Sequence, residues 1–420
     1  MFIPLYKVPL EHLRGSTREL APNFSQAKIQ LWGKYLGLMI GPLGEEEAWT
    51  EQAATLRGRA VRVKACKLPL NTAVSCYNVY GASTLSHVAQ FRAPSVDINN
   101  IEQGVLATIC SAPKNALPRA CLGNLTKLGF RSQVIILDTM SLAARCRVAM
   151  TGSSHGAAVR LLDEAIEQSE TPWAIPKHQM TGSMIKSIEK AYYTVHNIYH
   201  INLEDLHKNK PHTFTQVIKK KLMEDNKYSI EHFLTARVRK WLQLDASSVL
   251  DVDALAQLLL RNFKNASRIL PQHVCSAFLK TIGNAWITSG RLGGTVDPCI
   301  FGCGRPQGDT VSHLVHCPCF RAAARPYMPP HYACWPVAPN DVELLGLDGA
   351  STTTIMNRIL WVEVAMHCSN TLRRRKWDLG QLVVARVRAL CRESPVVRRL
   401  MVEHRAGQRP HPHAPSLLDW

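Results

Sequence analysis

The chain has 420 residues, 46% of them hydrophobic, which is long enough for a substantial core spread over two or three domains. Its 50 Lys and Arg against 32 Asp and Glu give a formal net charge of +18, a balance that favours nucleic acid first and an anionic surface second as partners. The odd number of cysteines, 13 scattered along the whole length, excludes a small secreted disulfide framework.

The opening "MFIPLYKVPLEHLRG" has no basic n-region and no small-residue cleavage site, so it does not read as a signal peptide. No run of about 18 apolar residues marks a transmembrane helix. The expectation is an intracellular chain without a membrane partner, in which clustered cysteines are metal ligands more often than disulfides.

In chain order, "FIPLYKVPL" and "LWGKYLGLMIG" read as two short strands of a small sheet, the second ended by Gly41 and Pro42. Helices follow. "EEEAWTEQAATLRGRAVRVKACK" opens with acids and runs into bases, as a helix dipole favours, and Pro69 ends it. On it Arg57, Lys64 and Lys67 share one face and Arg59 and Arg62 another. "NTAVSCYNVYGASTLSHVAQF" is helical in spacing with Gly81 as a kink. Further helices are expected near 101–112, 133–150, 157–169, 182–199, 214–224, 229–243, 250–262 and 267–286. The stretches 92–100, 171–182 and 325–340 read as linkers, and the Pro- and His-rich tail from 401 to 420 as disordered.

The most chemical stretch is "CIFGCGRPQGDTVSHLVHC". Its spacing, Cys299-x3-Cys303-x9-His313-x3-Cys317, places two close ligands, a gap and two more close ligands. Each pair can grip one edge of a tetrahedron while the gap lets the chain turn back. Gly302 and Gly304 make a tight turn around Cys303 cheap. Asp309 and Thr310 are placed to cap a short helix carrying His313 and Cys317 on one face. Three thiolates and an imidazole fill four-coordinate zinc, so the site reads as structural. His316 and Cys319 stand close enough in sequence to replace a chosen ligand.

The wider segment "FLKTIGNAWITSGRLGG", followed by the cysteine cluster with its D-T-x-x-H-x-x-x-C pattern, resembles the region downstream of the polymerase in non-LTR retrotransposon reverse transcriptases. The matching residues are Trp286, Thr288, Arg291, Cys299, Cys303, Asp309, Thr310, His313 and Cys317. A second match, "FIPL" followed by "KYLGLMIGP", resembles the last palm strands of those polymerases, with Tyr35, Leu36 and Gly37 in the position of the primer grip.

The resemblance implies a mainly α chain. Its segments would be a palm remnant (1–45), a helical thumb (46–95), a helical connector (96–290), a zinc knuckle (291–320), a basic helical region (321–400) and a tail (401–420). It further implies a structural Zn2+ and RNA or RNA–DNA hybrid as partner beside the missing polymerase part, while the basic run Arg373–Lys376 reads as a nuclear-import signal and so gives a nuclear location as the expectation. Phosphate contacts are expected from Arg57, Arg62, Lys64, Lys67, Arg291, Arg373, Arg374, Arg375 and Lys376.

The departure is as informative. A polymerase holds two metal ions about 4 Å apart on carboxylates, and the family takes two of these from an Asp-Asp turn. This sequence has no adjacent Asp-Asp pair. No catalytic residue and no catalytic Mg2+ are therefore expected, and the chain should not polymerise by itself. The rival expectations are a degenerate element without function, a helical protein-interaction scaffold and an enzyme with a catalytic zinc.

Overall fold

The computed structural model describes residues 9–24, 26–30, 32–35, 38–40, 48–151, 183–201, 211–224, 229–245, 250–289, 295–327, 341–375, 383–394 and 398. These are mainly helical, with one two-stranded antiparallel sheet. They fall into two compact units, each assembled from separated stretches of sequence. The first takes Met1–Cys66, Ser75–Leu106 and Val134–Tyr228, and the second Lys67–Val74, Ala107–Gln133 and Ser229–Trp420. The stretch 96–290, expected as a connector, is divided between the two units, and residues 291–320 fall in the same unit as the helices that follow them.

The expected strand "FIPLYKVPL" lies outside the described residues up to position 8, and from Leu10 the chain is helix α1 (Leu10–Leu20). The second apolar run is a hairpin rather than one strand. β1 (Gly33–Tyr35) pairs with β2 (Leu38–Ile40), with Gly33 opposite Ile40 and Tyr35 opposite Leu38. Of the primer-grip-like residues, Tyr35 ends β1, while Leu36 and Gly37 lie outside the described residues.

Helix α2 (Thr50–Ala65) buries Ala53, Leu56 and Ala60, one stripe at helical spacing. Arg57, Arg62 and Lys64 are exposed on its other sides. Lys67 does not continue that face. It lies past the helix end at φ 50°, a left-handed backbone that breaks the helical register.

Helix α3 (Leu70–Cys76) runs through a π-helical turn (Tyr77–Ala82) into α4 (Ser83–Ala89). Gly81 sits inside that turn, where a Cβ would come within 2.8 Å of the Tyr77 ring and 3.2 Å of Leu56. The glycine therefore marks a close approach of helices as well as a wider turn.

The expected linker at 92–100 instead starts helix α5 (Val96–Ile109), with the Ser95 hydroxyl accepting from the Ile98 N–H. Helix α6 (Arg119–Leu122) is a single turn. Helix α7 (Leu137–Thr151) follows four residues later than the expected start at 133. Glu102 explains that start. Its carboxylate, fully buried, accepts from the Leu137 N–H at 2.8 Å and from the Tyr77 hydroxyl at 2.7 Å. It thus caps α7 and anchors the π turn at once.

The helix expected at 157–169 falls outside the described residues. α8 (Ser183–Tyr193, extended by a π turn Thr194–Ile198) and α9 (Pro211–Glu224) pack on α7. Ala143, Cys146, Val195, Ile218 and Leu222 form the core between them. Buried Arg145 ties α7 to α8 through the carbonyl and hydroxyl of Ser187.

In the second unit, α10 (Ile230–Trp241) packs on α11 (Val252–Ser267). Both are capped as their sequences require: Ser229 accepts from the His232 N–H and Asp251 from the Ala254 N–H. The helix expected over 267–286 begins later, as α12 (Gln272–Ile282), because Pro271 cannot continue a helix and takes its N-cap. Phe263 of α11 meets Phe130 and Phe278 edge-on.

After the cysteine-rich segment, α13 (Val311–His316), α14 (Pro318–Ala324), the short turn α15 (Asp341–Leu344), α16 (Thr352–Arg375) and α17 (Val383–Glu393) complete the unit. α16 is its central helix. It buries Ile355, Ile359, Trp361, Val362, Val364, Ala365, Met366 and Leu372, and packs on α11, α12, α13 and α17. Arg358 of α16 is held bidentately by Asp348 at 2.7 and 2.8 Å. No helix among the described residues is long and apolar enough to cross a membrane.

Two outcomes follow. Glu102→Ala leaves two buried donors without an acceptor, at about 1–3 kcal/mol each, whereas Tyr77→Phe removes one donor together with its demand. In urea unfolding the first should lose about 3 kcal/mol and the second about 1 kcal/mol; the reverse order would contradict the double role of Glu102. The hydrogen bonds from Arg358 hold the Asp348 carboxyl below the usual carboxylate range. A depressed folded pKa contributes stability above the unfolded value, near 3.9, that is lost as pH falls through the folded one. The stability gap between wild type and Asp348→Asn should therefore shrink below about pH 4, while a gap constant with pH would refute the pairing.

Candidate metal centre

The segment from 295 to 310 has no regular structure, yet its backbone is closely specified. The Cys299 N–H donates to the Arg305 carbonyl at 3.1 Å, and the Gly302 N–H to the Cys299 carbonyl at 2.9 Å. This folds Cys299 and Cys303 around a tight turn. Gly302 and Gly304 stand at φ 73° and 79°, a conformation that costs other residues about 1–2 kcal/mol. The returning strand passes close by: a Cβ on Gly308 would fall 2.5 Å from the Cys299 Cβ.

Thr310 then starts α13, its hydroxyl accepting from the His313 N–H. Cys317 is not on that helix, as its spacing from His313 suggested. It is the junction residue that ends α13 and begins α14, where Pro318 occupies the first helical position.

These turns bring four ligand atoms together. Those of Cys299, Cys303, His313 and Cys317 all lie within 4.8 Å of one another. Cys299 Sγ is 3.6 Å from Cys317 Sγ, and Cys303 Sγ is 3.2 Å from His313 Nε2. Cys299 and Cys317 are buried, and His313 is 9% exposed. The hydrogen bond from Cys317, aided by the Phe301 N–H against the effect of burial, holds the Cys299 thiol down at about 5. The same hydrogen bond and burial push Cys317 up, so the pair shares one proton.

The group could hold a metal ion, and the spacing expected from sequence selects the same four residues. Cys319 stands beside the cluster, its thiol raised by burial and by the neighbouring thiols.

Asp309 does something its sequence position did not suggest. It does not cap α13. It is 1% exposed, accepts from the Ser289 N–H at 2.6 Å and forms a two-pronged ion pair with Arg373 of α16, one prong at 2.8 Å and the other between Arg373 Nη2 and Asp309 Oδ1. Burial would raise this carboxyl, but the Arg373 and Ser289 hydrogen bonds outweigh it and lower the pKa. Arg373, expected to contact phosphate, is instead committed to Asp309.

Arg374 and Arg375 end α16, with their side chains outside the described residues, as are Arg291 and Lys376 altogether. The knuckle is also clamped by aromatics. Phe301 stacks on Phe320, Phe320 meets Trp361 edge-on, and the Trp361 N–H donates to the Val315 carbonyl at 2.9 Å.

Comparison with protein-family models, with curated proteins and with solved structures gives no match.

Removing one partner of a buried ion pair leaves an uncompensated charge, at about 3–5 kcal/mol. Arg373→Met alone should therefore destabilise the second unit by that much, and Arg373→Met with Asp309→Asn by less. Chemical denaturation of both variants checks this; a double variant weaker than the single one would show that Asp309 is not held by Arg373.

Proposed function

We propose that the chain is the nucleic-acid-binding portion of an RNA-directed DNA polymerase of the non-LTR retrotransposon type, running from the end of the palm through thumb and connector to a structural zinc knuckle. The observation that carries this reading is the convergence of Cys299, Cys303, His313 and Cys317, the four positions that the resemblance picks out.

Zinc suits the set. Zn–S bonds of about 2.3 Å and Zn–N bonds of about 2.0–2.1 Å imply tetrahedral edges of about 3.8 Å between sulfurs and about 3.6 Å between sulfur and nitrogen. The observed 3.6 and 3.2 Å need only small adjustment. Four protein ligands leave no position for a reacting water, so the metal staples two turns of chain and does no chemistry.

The net charge of +18 and the exposed Arg57, Arg62 and Lys64 of α2 support RNA or an RNA–DNA hybrid as the partner, held by its phosphates. With no adjacent Asp-Asp pair, these 420 residues bind and do not polymerise. A nuclear location belongs to the same reading.

Purified chain should carry about one zinc, lost in Cys303→Ser with His313→Ala together with hydrogen-exchange protection over 299–317. It should bind an RNA–DNA hybrid with an affinity that falls steeply with salt. The triple change of Arg57, Arg62 and Lys64 to Gln should flatten that slope by about 1 for each phosphate no longer neutralised. A folded wild-type chain without zinc would sink the knuckle, and salt-independent or absent hybrid binding would sink the nucleic-acid role.

A further inference from the structure

The second unit contains a cavity of about 190 Å3 that the metal centre does not use. Leu70, Ile109 and Ala277 form its apolar wall, and His273, Lys280 and Trp286 its polar and aromatic one. None of the described residues lining it is acidic. The Lys280 ammonium lies over the Trp286 ring, 5.6 Å from its centroid, a cation on one face of the aromatic surface. The Trp286 ring is itself fixed, its N–H donating to the Thr281 hydroxyl at 2.9 Å. Burial lowers the His273 pKa, so at neutral pH the imidazole offers hydrogen bonds and Lys280 the charge.

Small-molecule sites usually enclose about 300–1,000 Å3. This cavity is smaller and takes a single base, so the sugar and phosphate of a nucleotide would lie at its rim, where His273 is exposed. We propose that it is a subsite for a single unpaired nucleotide, the base against Leu70, Ile109 and Trp286 and the phosphate on Lys280 and His273. The choice of a nucleotide among anionic aromatic ligands rests on the nucleic-acid reading above. Trp286 belongs to the very segment that carries the resemblance, which gives that tryptophan a task besides packing.

The test uses the full chain and three probes, adenosine monophosphate, adenosine and inorganic phosphate, by calorimetry and ligand-observed NMR, with hybrid binding measured in parallel. The monophosphate should bind at least tenfold more tightly than either component alone. Lys280→Gln should weaken it about tenfold, within the range of single phosphate and stacking contacts, and Ala277→Leu, which fills the cavity, should abolish it. Lys280→Gln decides alone if Ala277→Leu does not fold.

Phosphate binding as tight as the monophosphate would overturn the nucleotide assignment. Hybrid binding without monophosphate binding, or monophosphate binding indifferent to both variants, would overturn the subsite and leave the wider function standing. Monophosphate binding sensitive to both variants, without hybrid binding, would support the subsite and refute the wider function.

Discussion

The second unit depends on burying α16 on several sides at once. Where α16 is buried, a polar group without a partner is costly, and three of its side chains find partners inside the protein. Arg358 finds Asp348, the Trp361 N–H finds the Val315 carbonyl, and Arg373 finds Asp309. Two of these three partners lie in or next to the cysteine-rich knuckle. The burial of one helix thereby fixes the position of a segment that has no regular structure of its own.

The chain of bonds can be followed outward. Arg373 holds Asp309, Asp309 holds the Ser289 N–H, and the Ser289 hydroxyl accepts from the Asp297 N–H at 2.8 Å. The residue after Asp309, Thr310, caps the helix that presents His313. A buried ion pair of this kind adds little net stability over a well-packed apolar pair. Its effect is geometric, since only one placement of Asp309 satisfies three donors. The four ligand atoms then converge because both arms of the knuckle are anchored independently: one by the Gly302–Gly304 turn, the other by α13 seated on α16 through Trp361.

What the sequence discloses and what it hides divide along physical lines. The convergence of Cys299, Cys303, His313 and Cys317 was legible because their pair-gap-pair spacing lets the chain turn back locally. The mainly helical fold was legible from helical spacing and from acids preceding bases, as in 45–67. A helix was expected within 321–400, but not the extent of α16's burial, since buried residues on several sides leave no single apolar stripe. The partner of Asp309 lies 64 residues away, and the residues around the Trp286 cavity come from three separate stretches, 68–70, 109–111 and 273–286. Such long-range pairings leave no local signal. Pro271 is a local signal for the start of α12: it lies inside the helix expected over 267–286 and sets its first residue at Gln272.

The basic charge is also redistributed by the fold. Arg358 and Arg373 are each paired with a carboxylate, so each pair cancels and the net +18 is carried elsewhere. Arg145 and Arg237 donate to main-chain carbonyls of Ser187, Asn115 and Ala116. A carbonyl satisfies a guanidinium's hydrogen bonds without neutralising it, so these residues brace the helices and still contribute to the field. The exposed residues on α2 add charge that a phosphate can reach directly. With a screening length of about 8 Å at physiological salt, the field just outside the protein is set mainly by such exposed charges.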